Sequence, residues 1–230
     1  KKELELMDKS LKDIQHKYFI GIGGIGMSAL ARYFKFLGKN VAGYDKTPSQ
    51  ITTDLSAIGI AIHFEDDVAQ IPQEFLNLEE TMVVYTPAIP KNHKELTFIR
   101  QKGFVLKKRA QVLGAISRDV YTLAVAGTHG KTTTTAILAH LLKESGAKLI
   151  AFLGGISENY NSNLILEGNE VMVVEADEFD RSFLQLHPDI AAITSMDADH
   201  LDIYEKANAL EASFIEFSKK TKDHLLIRNG

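Results

Sequence analysis

The sequence predicts two consecutive α/β domains, each built on a mainly parallel sheet. Three observations carry that reading. Short apolar, β-branched runs alternate with amphipathic segments of helical period along the chain. One early run feeds a glycine-rich turn, Gly21-Ile-Gly23-Gly24-Ile-Gly26, that opens a helix. A later run, Tyr121–Ala126, feeds Gly127-Thr-His-Gly130-Lys131-Thr132 and a second helix start. Two strand–turn–helix units of this kind imply two sheets, one after the other.

The first domain is legible element by element. Lys1–Ile14 reads as a lead-in, and Lys17–Ile22 as the first strand. In the helix that follows, Met27, Leu30, Ala31, Phe34 and Leu37 recur at three- and four-residue spacing, with Gly38 placed to end it. Asn40–Tyr44 is the next strand and closes on Asp45, so a βαβ unit carries G-x-G-x-x-G with an acidic residue about 20 positions on, a Rossmann-like fingerprint. A nicotinamide or flavin cofactor, the diphosphate of a UDP-sugar, and a purely structural turn all satisfy that pattern. Ile51–Ile58 reads as a helix, and Ile60–His63 and Thr81–Tyr85 as strands. The loop Thr86-Pro-Ala88-Ile89-Pro90 leaves the carboxyl end of its strand, where open α/β sheets bind ligands. His93–Gln101 is a helix, Phe104–Leu106 a strand and Lys108–Ile116 a helix. His63 and His93 have no second ligand at metal spacing and read as ordinary surface histidines. The second nucleotide-type turn places the boundary near Lys107–Lys108, giving domains of 1–107 and 108–230.

Bulk properties exclude several classes. The net charge of −4 argues against general nucleic-acid binding, which calls for a basic face. Anionic ligands must therefore be drawn by local sites and metal ions. With no cysteine, disulfides, thiolate metal sites and cysteine nucleophiles are ruled out. No apolar run approaches the roughly 20 residues that span a bilayer, and Lys1–Lys17 lacks a signal-peptide core. A cytoplasmic protein without membrane insertion is the expectation.

The second turn has the logic of a P-loop. Backbone N–H groups and the positive end of a helix dipole meet at one spot, Lys131 adds a full charge, and Thr132 offers a hydroxyl for a magnesium ion. The usual pattern puts glycine at 125, where this chain has Val125. Thr132–Glu144 reads as a helix stopped by Gly146, and Lys148–Leu153 as a strand ending in Gly154-Gly155. Ser157–Asn163 reads as a polar loop leading into an excursion to Gly168. Val171–Glu175 and Ile190–Thr194 are strands, Glu205–Lys220 a helix with Ala207, Leu210, Phe214 and Phe217 on one face, and His224–Ile227 a last strand.

Strand carboxyl ends share one edge of a parallel sheet, so Glu175, His200 and Thr132 are expected to converge on the phosphate pocket. Carboxylate and hydroxyl oxygens with an imidazole suit Mg2+ or Mn2+ bridging phosphates. Asp177, Glu178, Asp180 and Asp202 read equally well as solvated loop carboxylates.

These residues reach a known family. Gly21–Ala31 (GIGGIGMSALA), Thr86–Pro90 (TPAIP), Ala126–Thr135 (AGTHGKTTTT), Val174–Asp180 (VEADEFD) and Asp197–Asp202 (DADHLD) occur in one order across nearly the whole chain. In this the chain resembles the ATP-dependent Mur ligases of bacterial peptidoglycan synthesis. Phe179 stands where the family more often has serine, and the loop after Gly155 is unusual. The Val125 departure reads as the family's own variant of the loop.

The resemblance implies ligation of L-alanine to UDP-N-acetylmuramate at the expense of ATP, through an acyl phosphate. A murein-peptide ligase of the same family and a NAD-binding Rossmann oxidoreductase are the alternatives. It places Lys131 on the β- and γ-phosphates, with Gly127, Thr128, His129, Gly130 and Thr133 as the phosphate cradle. Thr132 and Glu175 would hold one Mg2+, and Glu175 and His200 a second; Lys131, Glu175 and His200 are then the catalytic set. Gly23, Gly24, Ile25, Gly26 and Met27 would cradle the UDP diphosphate, with Asp45, Thr86, Ala88 and Ile89 on the uridine side. The family carries a third, C-terminal domain that helps bind ATP and the amino acid. The expectation is that these 230 residues hold an incomplete central domain without that third domain, bind the UDP-sugar and ligate poorly alone.

Overall fold

A computed structural model describes residue 11, residues 13–196 and residues 204–228. The chain divides into two compact units, Lys1–Val112 and Leu113–Gly230, with the division inside the helix Arg109–Asp119, a little beyond the boundary read from the sequence.

In the first unit five strands pair entirely in parallel, β1 (His16–Ile20), β2 (Asn40–Tyr44), β3 (Ala61–His63), β4 (Thr81–Tyr85) and β5 (Val105–Lys108), in the order β3-β2-β1-β4-β5. All five residues of β1 are buried, as a strand flanked on both sides and covered on both faces must be. This includes Lys17, whose ammonium donates to the carbonyls of Leu11 and Ile14 at 2.8 Å each and lies over the Phe34 ring. Burial pulls the pKa of that amine down to about 7. The strand order reverses between β1 and β4, and the Gly21–Gly26 turn leaves β1 at that switch point.

Helix α1 (Ile25–Phe36) presents Met27, Leu30, Ala31 and Phe34 to the core, the stripe read from the sequence, and Gly38 takes φ +74° just past its end. Helix α2 (Gln50–Ala57) opens with a capping box: Ser49 Oγ accepts from Thr52 N, and Thr52 Oγ1 accepts from Ser49 N. Helix α3 (Lys94–Lys102) ends at Gly103 with φ +80°, and α4 (Arg109–Asp119) follows β5.

In the second unit the order is β11-β10-β6-β9-β7-β8. Strand β6 (Tyr121–Ala126) lies between β9 (Val171–Glu175) and β10 (Ile190–Ile193), parallel to both, and β11 (His224–Ile227) pairs parallel with β10. Strand β7 (Leu149–Ser157) runs further than the sequence suggested and pairs antiparallel with β8 (Ser162–Leu166), with a register shift between Phe152 and Ser157. The expected polar loop and excursion are therefore largely a hairpin. The apolar residues of Ser-Asn-Leu-Ile-Leu bury Leu164 and Ile165 while Asn163 is itself 3% exposed, so a polar reading of Asn163 hid the strand. Helix α5 (Lys131–Glu144) follows the P-loop. A 3-10 helix, Phe179–Gln185, sends Phe183 into the core, where helix α6 (Tyr204–Lys219) packs Phe217 and Phe214 against it at ring-centroid distances of 4.9 and 5.3 Å. Among the described residues no helix is long and apolar enough to cross a membrane.

Candidate functional site

The first glycine turn is built for close approach. Gly21 adopts φ +86°, and the N–H groups of Gly21 and Ile22 both donate to the Tyr44 carbonyl, folding the turn back on the end of β2. Gly23 N donates to Asp45 Oδ2 at 2.7 Å, and a Cβ on Gly23 would sit 2.8 Å from that same oxygen. Thr86 and Ile89, from the loop after β4, lie where a Cβ on Gly21 would meet them at 3.1 and 3.2 Å. Gly23, Asp45, Thr86 and Ile89 thus gather around one turn; Ala88 is an exposed residue of the same loop. Helix α1 begins at Gly24 with no side chain capping it, so its first turn (Ile25, Gly26, Met27) presents backbone N–H groups and the positive end of the dipole. Arg109 was not singled out from the sequence. Its guanidinium lies against Gly26 so closely that a Cβ there would overlap it.

The second turn is braced from the neighbouring strand. Gly127 takes φ +130° and has no room for a Cβ, which would meet Thr194 and Ser195. Thr194 Oγ1, with a single proton to donate, lies within hydrogen-bond reach of both the Ala126 carbonyl, at 3.1 Å, and the His129 carbonyl. The Ser195 carbonyl accepts from Thr128 N at 2.9 Å, and Ser195 Oγ accepts from His129 N at 3.0 Å and pairs with Thr128 Oγ1 at 2.9 Å. Two N–H groups of the expected cradle, those of Thr128 and His129, are therefore committed to Ser195. Gly130 caps α5 with φ +78° and no side-chain cap, leaving the helix N-terminus at Lys131, Thr132 and Thr133 open. Thr194 and Ser195 were not assigned a role from the sequence; their place directly after a strand paired with β6 was the available signal.

Lys131 is the charged member. Its Nζ donates to the Gly127 carbonyl at 2.5 Å and to Glu178 Oε1 at 3.1 Å, with Glu178 Oε2 at 2.9 Å. Glu178, an even choice between ligand and solvated carboxylate in the sequence, is half-buried against the lysine. Glu175, at the end of β9, accepts from Gly154 N through Oε2 at 3.1 Å, and a Cβ on Gly154 would strike its carboxylate. The nearest atom to a Cβ on the adjacent Gly155 is the Thr132 methyl, 3.9 Å away. Thr132 and Glu175 thus lie beside the adjacent glycines Gly155 and Gly154, and a hydroxyl and a carboxylate are the oxygen donors a hard cation such as Mg2+ takes. His200, the third expected ligand, lies outside the described residues, as do Asp197, Asp199 and Asp202. Among the described residues no group of three or more His, Asp or Glu stands at metal spacing. A groove of about 540 Å³ runs beside the loop, lined by His129, Gly130, Thr134, Thr194, Ser195 and Arg228 among others.

A correction concerns His63 and His93. They are not ordinary surface residues but members of a buried polar cluster. Tyr18 OH lies 2.6 Å from Glu95 Oε2 and 2.7 Å from His63 Nε2, and His63 Nδ1 is 3.0 Å from the Glu65 carbonyl. His93, 5% exposed, caps α3 by accepting from Leu96 N, and Asp66 accepts from Lys94 N and Glu95 N. A carbonyl only accepts, so His63 Nδ1 carries a proton. Tyr18 donates to Glu95 when that carboxylate is charged; when Glu95 is protonated the direction reverses and Tyr18 can donate to His63 Nε2. Burial pushes Glu95 up to about 7 and His63 below its ordinary value, and both shifts favour the neutral arrangement.

Residues 16–121 match the Mur ligase family, catalytic domain, and residues 125–230 the Mur ligase middle domain. The chain belongs to the Mur ligase family. A curated relative from Flavobacterium johnsoniae, a UDP-N-acetylmuramate–L-alanine ligase, is 61% identical over 93% of this chain, which covers 47% of that relative. The chain thus spans about half the length of the curated relatives it matches. Two solved Mur ligase structures share its fold. The UDP-N-acetylmuramate:L-alanyl-gamma-D-glutamyl-meso-diaminopimelate ligase of Neisseria meningitides gives a TM-score of 0.83 at 27% identity, with 94% of this chain and 72% of that one covered. The UDP-N-acetylmuramate-alanine ligase of Thermotoga maritima gives 0.78 at 29% identity, with 91% and 48% covered.

Proposed function

We propose that this chain is the UDP-sugar- and ATP-handling part of a ligase that joins L-alanine to UDP-N-acetylmuramate. The observation that carries the reading is the presence, in one Mur ligase chain, of two differently equipped phosphate turns. One is closed by Asp45 and has no lysine. The other carries Lys131 and Thr132, with Glu175 at the end of the neighbouring strand β9. An oxidoreductase would use the first and leave the second unexplained. The high identity to relatives named for the alanine-adding reaction supports the choice of substrate.

The chemistry asked of the residues follows from charge. A carboxylate is a poor electrophile and is activated as an acyl phosphate before an amine attacks it, and bringing it to a triphosphate requires neutralising like charges. Gly23–Met27 would hold the diphosphate of the UDP-sugar on α1, with Asp45 fixing the turn. Lys131 and the N–H groups opening α5 would hold the β- and γ-phosphates. Thr132 and Glu175 would hold Mg2+, with His200 as a further ligand by family resemblance. When bound, the ion supplies charge neutralisation between the phosphates and the attacking carboxylate. Loss of Lys131 is worth several kcal/mol of transition-state stabilisation on this account.

A thermal-shift panel on the 230-residue chain tests the reading. UDP-N-acetylmuramate stabilises it, by about 2.7 kcal/mol at 100 times Kd, and NAD(H) does not. A shift with NAD(H) and none with UDP-sugars would overturn it. The murein-peptide alternative is favoured by one observation, the 0.83 TM-score to a ligase of that kind. In the longer protein, phosphate release dependent on tripeptide and not on L-alanine would select it.

A further inference from the structure

The ammonium of Lys131 is held from within the protein by two hydrogen bonds and a close carboxylate. A lysine offers three N–H donors. One goes to the Gly127 carbonyl and one to Glu178 Oε1, while Glu178 Oε2 lies 2.9 Å from the nitrogen. The carboxylate therefore straddles the lysine as two oxygens of a phosphate would, at the mouth of a helix N-terminus that no side chain caps. The two oxygens are not equally satisfied. Oε2 is buried and close enough for charge attraction, yet it receives no aligned hydrogen bond. The Glu178 side chain is 21% exposed, so once displaced its carboxylate can turn to water. An arriving phosphate brings more negative charge to the same ammonium, which has two of its three donors already engaged and a carboxylate pressed against it.

We propose that Glu178 is a built-in stand-in for phosphate, a positioning residue that holds Lys131 in its loading conformation and is displaced when a polyphosphate binds. The proposal rests on the nucleotide reading of this loop and adds to it a competitor for the loop's principal cation. Its consequences differ from those of an ordinary structural ion pair. A structural pair, when broken, weakens everything that depends on the loop. A stand-in, when removed, destabilises the ligand-free protein and strengthens binding of the real ligand. The backbone around Glu178 fits such a role. Its carbonyl accepts from Arg181 N, and the Asp177 carbonyl accepts from Ser182 Oγ and Phe183 N, so the main chain stays anchored while the side chain changes partner.

The test compares the wild-type chain with Glu178→Gln, Glu178→Asp and Lys131→Met, using inorganic tripolyphosphate and ATP as probes in titration calorimetry without divalent metal. Glu178→Gln binds tripolyphosphate about tenfold more tightly than wild type, the loss of one competing charge-assisted contact, while its ligand-free melting temperature falls. Glu178→Asp, one methylene shorter, retains the charge and gains less. In the Lys131→Met background the exchange of Glu178 for glutamine changes affinity little, because the competition acts through the lysine. Wild-type binding with no gain, or a loss, in Glu178→Gln would overturn the proposal alone. No binding by either protein would overturn the nucleotide reading and the proposal with it.

Discussion

Asp45 and Gly23, 22 residues apart, are joined by a 2.7 Å hydrogen bond from a turn amide to a strand-end carboxylate. Only glycine leaves room for it, since a Cβ at position 23 would lie 2.8 Å from the accepting oxygen and 3.1 Å from the Thr52 methyl. Gly23→Ala is predicted to displace the Asp45 side chain, cost about 1–3 kcal/mol of first-unit stability and weaken UDP-N-acetylmuramate binding by about tenfold or more. Calorimetry and urea unfolding check both; a variant with wild-type affinity would show that the turn has no part in binding.

Ser195 holds the P-loop by its hydroxyl as well as its backbone. Ser195→Ala removes the contacts to His129 N and Thr128 Oγ1 but keeps the carbonyl contact to Thr128 N. The expected cost is about 1 kcal/mol, with amide exchange at His129 accelerated while Thr128 stays protected. Equal protection of both amides would refute this division of labour.

Gly154 is the position at which a small change tests the proposed metal site. A Cβ there would collide with both oxygens of Glu175. Gly154→Ala should leave metal-free nucleotide binding within a few-fold of wild type while abolishing most of the gain that Mg2+ or Mn2+ confers. Titrations with and without the ion give that difference directly.

Glu95 makes a pH prediction. The folded chain holds a proton on this carboxyl up to about 7, whereas the unfolded chain releases it near its ordinary 4.5. Between those values the folded state binds the extra proton, so stability falls as pH rises and the loss is complete above about 7. For a side chain with no solvent exposure the difference is on the order of 3 kcal/mol. His63, lowered by burial from 6.5, acts in the opposite direction: the unfolded chain takes up its proton first as pH falls. Glu95→Gln isolates the carboxyl. Thermal unfolding should find it close to wild type at pH 5 and more stable at pH 8; parallel curves at both pH values would exclude a buried titrating carboxyl.

The sheets were legible because parallel strands buried on both faces leave unbroken apolar runs such as Thr81–Tyr85 and Val171–Glu175. The first turn was legible from its spaced glycines, and the second from glycine, lysine and threonine in a fixed order. What escaped was set by partners distant in sequence. Tyr18 meets Glu95 across 77 residues and His63 across 45; Lys131 meets Glu178 across 47; Thr128 meets Ser195 across 67. No local pattern distinguishes a histidine bonded to a buried tyrosine from one in water. Nor does any window around Arg109 reveal that its guanidinium covers Gly26. Strand β8 was missed for a different reason, since an antiparallel edge partner reached through a short turn needs no helix before it.

The central place of β6 bears on how the second unit assembles. Its carboxyl end is shaped by β10 through Thr194 and Ser195, and Ala176, just beyond β9, donates to the Val125 carbonyl. Neither neighbour is local: β10 returns more than sixty residues after the loop it braces. Pairings of that sequence separation close late and slowly, because chain entropy is lost before the contacts repay it. The loop therefore gains its binding shape only when the middle of the sheet is complete. Recovery of polyphosphate binding during refolding would then time the closing of the sheet itself.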